Sequence, residues 1–349
     1  MKLYIHGTGI LSASGNNKDQ DFLQEKPSYD TDKLLCKEPN YTSYIPPMQL
    51  RRMSKAVRMG IGASKICLEN TGLEKADAIS VGTAYGCLHD TEVFLSKMVE
   101  QDEQMLTPTA FIQSTHNTVA GQIALVTGCY GHNLTYVQRG HSFEHAMINA
   151  QLYLDSHKGN NILVGGIEEL TDTSLEVLKH ARVYRKQAST SDSILNENLE
   201  GSVAGEGAAF FLASEQQQGD HNVLIRDIAT FTTRDAEAAL KKVNNFLERQ
   251  TLNADNIDLL MLGVNGDVRS EQFYGQLKTS FSSTSQATFK HVCGEYPVSS
   301  SFALGLVCNA VKNGLPEHTI LNRAPKQLKH IVLINNFVHH YSCWHIEVA

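Results

Sequence analysis

No apolar run in this chain approaches the length of a membrane span, which takes about 20 consecutive apolar residues. Lysine and arginine number 30 against 37 acidic residues, for a formal net charge of −7, and no long basic block occurs. A nucleic-acid partner is therefore not expected, because phosphate binding needs a concentrated basic face. The seven cysteines are odd in number, scattered, and never in a Cys-x-x-Cys pair. That pattern offers no disulfide framework and fits a reduced, cytoplasmic protein. Met1-Lys-Leu-Tyr-Ile-His6 runs straight into a strand pattern without the features of a signal peptide. The strand leads to Gly7-Thr8-Gly9, but Ser12 stands where a dinucleotide fingerprint puts its third glycine, so no nucleotide cofactor is expected.

What the chain does have is apolar content, 42% over 349 residues, enough for a large core in two domains or two intimately packed halves. Strand patterns at Ile79–Thr83, Ile162–Gly165 and Ala208–Leu212 alternate with helical ones at Leu50–Asn70 and Thr91–Gln104. A polar stretch, Glu215–Asn222, breaks the pattern. It then restarts with strands at Val223–Ile228, Leu259–Gly263 and Ile331–Asn335 and helices at Ala236–Leu252 and Ser301–Lys312. Helices alternating with apolar strands predict an α/β protein with stacked sheets. The expected division is 1–214, including an irregular cap at about 15–46, and 215–349.

The most informative stretch is Leu134-Thr-Tyr-Val-Gln-Arg-Gly140-His-Ser-Phe-Glu-His-Ala-Met-Ile-Asn-Ala150. Thr135–Gln138 reads as a strand, Gly140 as a sharp turn, and Phe143, Ala146, Met147, Ala150 and Leu154 as the buried face of a helix. Strand, turn and buried helix make a nucleophile elbow, which lifts one side chain to the positive end of a helix. Here the apex is a glycine and offers no side chain.

The flanks give that glycine its context. Phe111-Ile-Gln-Ser-Thr-His-Asn117 lies upstream and Gly165-Gly-Ile-Glu168 and Gly205-Glu-Gly-Ala208 lie downstream. Arg51-Arg-Met-Ser54, Asn70-Thr-Gly-Leu73 and Gly82-Thr-Ala-Tyr-Gly86 come earlier. In order and spacing the chain resembles β-ketoacyl synthases of the thiolase superfamily. The resemblance implies a thiolase-like fold: two similar halves with stacked mixed β-sheets and buried helices between them, layered α/β/α/β/α. It puts Gly140 at the acyl-accepting cysteine. It puts Asn265 of Val264-Asn-Gly-Asp267 at the first catalytic histidine and Glu295, after Lys290, at the second. His339 in Phe337-Val-His-His-Tyr341 falls in a gating loop that normally carries glycines and a phenylalanine. A thiolate, an oxyanion hole and imidazoles are what a decarboxylative condensation needs. The implied reading is a chain-length-factor-like partner of an active ketosynthase in fatty-acid or polyketide-type synthesis, without condensing activity of its own. Its implied partners are an acyl carrier protein and an active ketosynthase or a second copy, joined through the strand before the elbow.

Alternatives stay open at this stage. Ser142, Cys129 or Cys293 could be a relocated nucleophile of an acyltransferase or thioesterase, though none has a histidine at catalytic spacing. An acyl-ligand binding module is another option. Arg51, Lys55 and Arg58 fall at i, i+4, i+7 of the predicted helix beside Arg52. A solvated face and a docking stripe for an acidic carrier protein are both consistent with that spacing. Glu168 and Glu206 are expected to be structural acceptors. His339, Cys343 and His345 share one strand face with zinc-compatible chemistry, but no second ligand cluster accompanies them and no metal is expected.

Overall fold

The apolar segments become strands whose pairing occurs twice. In the computed structural model, which describes residues 2–19, 22–197, 199–218 and 223–348, the first part of the chain contributes five strands to the main run of the sheet, beside the two-residue strand Gly15–Asn16 that pairs with Leu11 and Ser12. They are β1 (Leu3–Ser12), β2 (Ala78–Gly82), β3 (Asn133–Tyr136), β4 (Asn161–Glu168) and β5 (Gly207–Ser214). The second part contributes β6 (Val223–Thr232), β7 (Leu259–Leu262), β8 (Ser285–Thr288), β9 (His330–Phe337) and β10 (His340–Val348). Their order is β8-β7-β9-β10-β6-β1-β5-β4-β2-β3. Outward from the β1–β6 seam, where Leu3 faces Ile225, each part starts with two antiparallel pairings and ends with two parallel ones. The topology therefore displays an internal duplication that leaves no short repeat in the sequence.

Six helices fill the layers: α1 (Lys55–Thr71), α2 (Thr118–Thr127), α3 (Ser142–Ser156), α4 (Ala236–Arg249), α5 (Val268–Ser280) and α6 (Ser299–Asn313). Phe143, Ala146, Met147, Ala150 and Leu154 of α3 share one core with Phe302, Leu306 and Val307 of α6 and with strand residues of both parts. Those two helices are the central layer. The α1 and α2 faces cover the first sheet, and α4 and α5 cover the second, which completes α/β/α/β/α. Each large apolar side chain buried here stabilises the fold by about 1.5–3 kcal/mol. The single tryptophan, Trp344 on β10, is fully buried. It stacks on Phe143 of α3 with ring centroids 5.5 Å apart, clamping the central helix of one repeat to the sheet of the other.

The two outer strands are treated differently. At β3, Leu134 is 42% exposed and Val137, just beyond it, 45%. All four residues of β8 are buried, because residues around Ile320 run along it: Leu321 N–H donates to the Gln286 carbonyl at 2.9 Å. The strand expected at Thr135–Gln138 ends two residues early, since the Gln138 N–H turns away to the Ser142 hydroxyl.

The helix expected at Leu50–Asn70 is two pieces. A single turn, Pro47–Leu50, starts at a proline whose missing N–H is no loss there. Ser54 is extended (φ −63°, ψ 166°), and α1 begins only at Lys55. Arg51 and Arg52 therefore sit in the break and not on the helix face with Lys55 and Arg58.

Candidate functional site

At the elbow, β3 passes through Gln138-Arg-Gly-His141 into α3. The left-handed residue of this turn is Arg139, with φ 51°, a conformation uncommon outside glycine. Gly140 is there for space instead. A Cβ built on it would lie 2.9 Å from the Cβ atoms of both Phe337 and His340. The β9–β10 turn thus closes directly on the helix end where a nucleophile would project.

Neighbouring candidates are chemically occupied. The buried Ser142 hydroxyl accepts from Gln138 N–H at 2.8 Å and donates to the Arg139 carbonyl at 2.8 Å. His141 is engaged elsewhere, its Nε2 3.1 Å from the Tyr341 carbonyl; burial first, then His340 and His145, push its pKa down to about 4. Cys293 is fully buried, its thiol donates to the Gly294 carbonyl at 3.3 Å, and burial raises it well above the usual range. Burial also raises Cys129. All seven cysteines are free and buried, so none has thiolate character.

Asn265 follows β7, and Lys290 and Glu295 flank a short turn before α6. Here the structure brings expected residues together. Asn265 Nδ2 donates to Glu295 Oε2 at 2.8 Å, and Lys290 Nζ reaches the same oxygen at 2.7 Å. Lys290 also donates to the Asn336 carbonyl at 2.5 Å, in the strand that leads to the closing turn. Burial raises the Glu295 carboxyl, while Lys290 and Asn265 oppose that rise. His339 stands on the same turn beside Val338, whose φ is 55°. His339, Asn265 and Glu295 all line one cavity of about 420 Å³. Desolvation and then the fields of Arg234, Arg269 and Arg139 lower His339.

The basic residues do not form one stripe. Lys55 is ion-paired with the fully buried Glu206, and Arg58 with Glu38 at 3.1 Å. Only Arg51 and Arg52 remain exposed without such partners among the described residues. Glu206 also accepts from Cys36 and Leu170 N–H groups at 2.8 and 3.0 Å. Glu168 accepts from Thr83 Oγ1 at 2.6 Å and from Ala84 and Tyr85 N–H groups. Both carboxylates hold turns together, as expected. The C-terminal histidines do not converge on a metal: His345 approaches His330 at 3.4 Å and Gln250 at 3.2 Å. Among the described residues no group of three suitable donors forms, and no helix is long and apolar enough to cross a membrane. Phe337 and His340 went unrecognised as the residues over the elbow; their one sequence signal is bulk where the resembled loop carries glycine.

A family model described as β-ketoacyl synthase, N-terminal domain, matches residues 26–226. The chain belongs to the β-ketoacyl synthase family. Over 241 residues it is 21% identical to 3-oxoacyl-[acyl-carrier-protein] synthase 2 of Vibrio harveyi, covering 62% of this chain and 58% of that protein. It therefore spans less than two thirds of that curated relative. Solved structures match the whole synthase-family chain in fold. The ishigamide ketosynthase/chain length factor superposes with a TM-score of 0.81 at 12% identity, covering 100% of this chain and 99% of that one. A ketosynthase in complex with its chain length factor from Xenorhabdus doucetiae gives 0.78 at 15%, covering 100% and 98%. A β-ketoacyl synthase from Burkholderia phymatum gives 0.76 at 16%, covering 100% and 99%.

Proposed function

We propose that this synthase-family chain is a non-condensing subunit that pairs with an active, cysteine-bearing ketosynthase in carrier-protein-dependent fatty-acid or polyketide-type synthesis in the cytoplasm. The observation that carries this reading is Gly140 lying under Phe337 and His340: the position we assign to the nucleophile has neither a side chain nor room for one. The positions assigned to the catalytic imidazoles hold Asn265 and Glu295, tied to Lys290 and to each other. A carboxylate there would repel a malonyl carboxylate or an enolate instead of stabilising it. The open edge of β3, with Leu134 and Val137 exposed, supports assembly through that strand. Two of the solved proteins that share the fold include a chain length factor with its ketosynthase.

The test is co-expression with a cysteine-bearing ketosynthase and a carrier protein. The pair should co-purify and make condensed product, while this chain alone makes none. After incubation with acyl-carrier protein, intact-mass measurement should find no acyl group on it. Stoichiometric acylation of Ser142 or Cys293 would sink the reading.

A further inference from the structure

The central layer holds an acid that the pairing reading leaves unused. Glu144 lies in the first turn of α3 and is fully buried. It follows Phe143, in the joint where α3 of one repeat meets α6 and β10 of the other. Neither of its carboxyl oxygens has a hydrogen-bond partner. The side chains that act on it are Ser300 at the start of α6 and Ser342 and Trp344 on β10, and none is charged. The Trp344 N–H is already given to the Ser342 hydroxyl at 3.2 Å. From the other side β2, β4 and β6 send Ala78, Val164 and Ile225 into the same core.

Titratable groups elsewhere on these elements supply no counter-charge near neutral pH. Burial holds His141, His145, His340 and His345 below the ordinary imidazole range and lifts Tyr341 and Cys343 above theirs. Asp155, Lys312 and Glu347 lie at the far ends of α3, α6 and β10. A carboxylate stripped of water with no cation beside it is far less stable than the neutral acid. The positive ends of α3 and α6 favour the anion, but a helix end restores only a fraction of the lost hydration. Burial accordingly raises the Glu144 carboxyl above the usual carboxylate range.

We propose that Glu144 is a proton-operated latch between the repeats: as the neutral acid it belongs to the core, and when its proton passes to solvent the bare charge loosens α3 from α6 and β10. Because β10 begins at His340, one of the two residues over Gly140, release of the joint also frees the cover of the elbow. The latch does not rest on the pairing reading, and its failure would leave that reading standing.

The folded chain keeps this proton at pH values where the unfolded chain, with an ordinary value of about 4.5, has lost it. The stabilising share is therefore full below about pH 4.5 and is lost as pH rises. Glu144→Gln, which copies the neutral acid in shape, tests the latch. Between pH 5 and 9 the unfolding constant of the wild type relative to this variant should rise about tenfold per pH unit until Glu144 ionises in the folded chain. Hydrogen exchange localises the effect. At pH 9 the amides of α3 and β10 should open at least tenfold more often in the wild type than in the variant, and at pH 5 equally often. Amides of α4, on the outer face of the second sheet, should not distinguish the two proteins. A pH-independent difference in stability, or a variant less stable than the wild type at pH 8, overturns the proposal. So does faster exchange spread evenly over α4 and the joint.

Discussion

The two repeats share a strand order but not the fate of their outermost strands. In the second, β8 is covered by the segment around Ile320 and fully buried. In the first, β3 has no such cover among the described residues, and it ends at the elbow. An uncovered edge beside exposed leucine and valine is a template for another chain, whereas the same position under a local strap is finished within its own fold. The difference supports the proposal that assembly runs through the first repeat, while the second finishes its edge within its own fold.

The strongest way to break that comparison is to charge both edges. Leu134→Asp with Val137→Asp should weaken association with a second chain roughly 100-fold or more while the monomer stays folded. Ala287→Asp on β8 should cost more than about 3 kcal/mol of stability, because it strands a charge in a sealed edge. Sedimentation and thermal melts read the two effects; the opposite pattern would invert the assignment.

A smaller effect asks whether the repeats respond alike to acid. Each holds a buried imidazole depressed to about 4, His141 in the first and His291 in the second. Both remain neutral in the folded chain, while the unfolded chain protonates near the ordinary value of about 6.5. Stability is therefore full above about pH 6.5 and falls as pH drops toward 4, by up to about 1.4 kcal/mol per pH unit for each imidazole. Denaturant titrations of His141→Gln and His291→Gln should each show one proton's worth less slope. An unchanged slope in either would show that its repeat does not hold the imidazole neutral.

Gly140→Cys tests the elbow, for which the second repeat has no counterpart role. Overpacking against Phe337 and His340 should cost about 1–3 kcal/mol, and mass measurement should find no thioester. Ready acylation would mean that the β9–β10 turn moves aside freely.

The smallest effect concerns docking on the first repeat. Arg51→Glu with Arg52→Glu should slow association of an acidic carrier protein in a salt-dependent way and change stability by under about 0.5 kcal/mol. Equal association rates in stopped flow would make these residues a plain solvated surface.

Much of this was legible in the residues. Short apolar runs such as Leu259–Leu262 declare strands, and the spacing of Ala146, Met147 and Ala150 declares the buried helix and places Gly140. The closing turn was not legible, because Phe337 and His340 come from the far end of the chain and only folding sets them on Gly140. The duplication was hidden for a related reason: pairing order is conserved between the repeats by geometry, without matching side chains. The basic residues misled because i, i+4 spacing presumes an unbroken helix. The break at Arg51–Ser54, with Ser54 extended, interrupts it, and Glu206 and Glu38, distant in sequence, take up Lys55 and Arg58.

Trp344 is the chain's only strong intrinsic fluorophore, and it sits where the first repeat's central helix meets the second repeat's sheet. Its emission is thus a gauge of a single joint. A melt in which the repeats part before either unravels would show a red shift of tryptophan emission ahead of the loss of far-ultraviolet circular dichroism. Coincident curves would mean that the stack of Phe143 on Trp344 binds the two repeats into one cooperative unit.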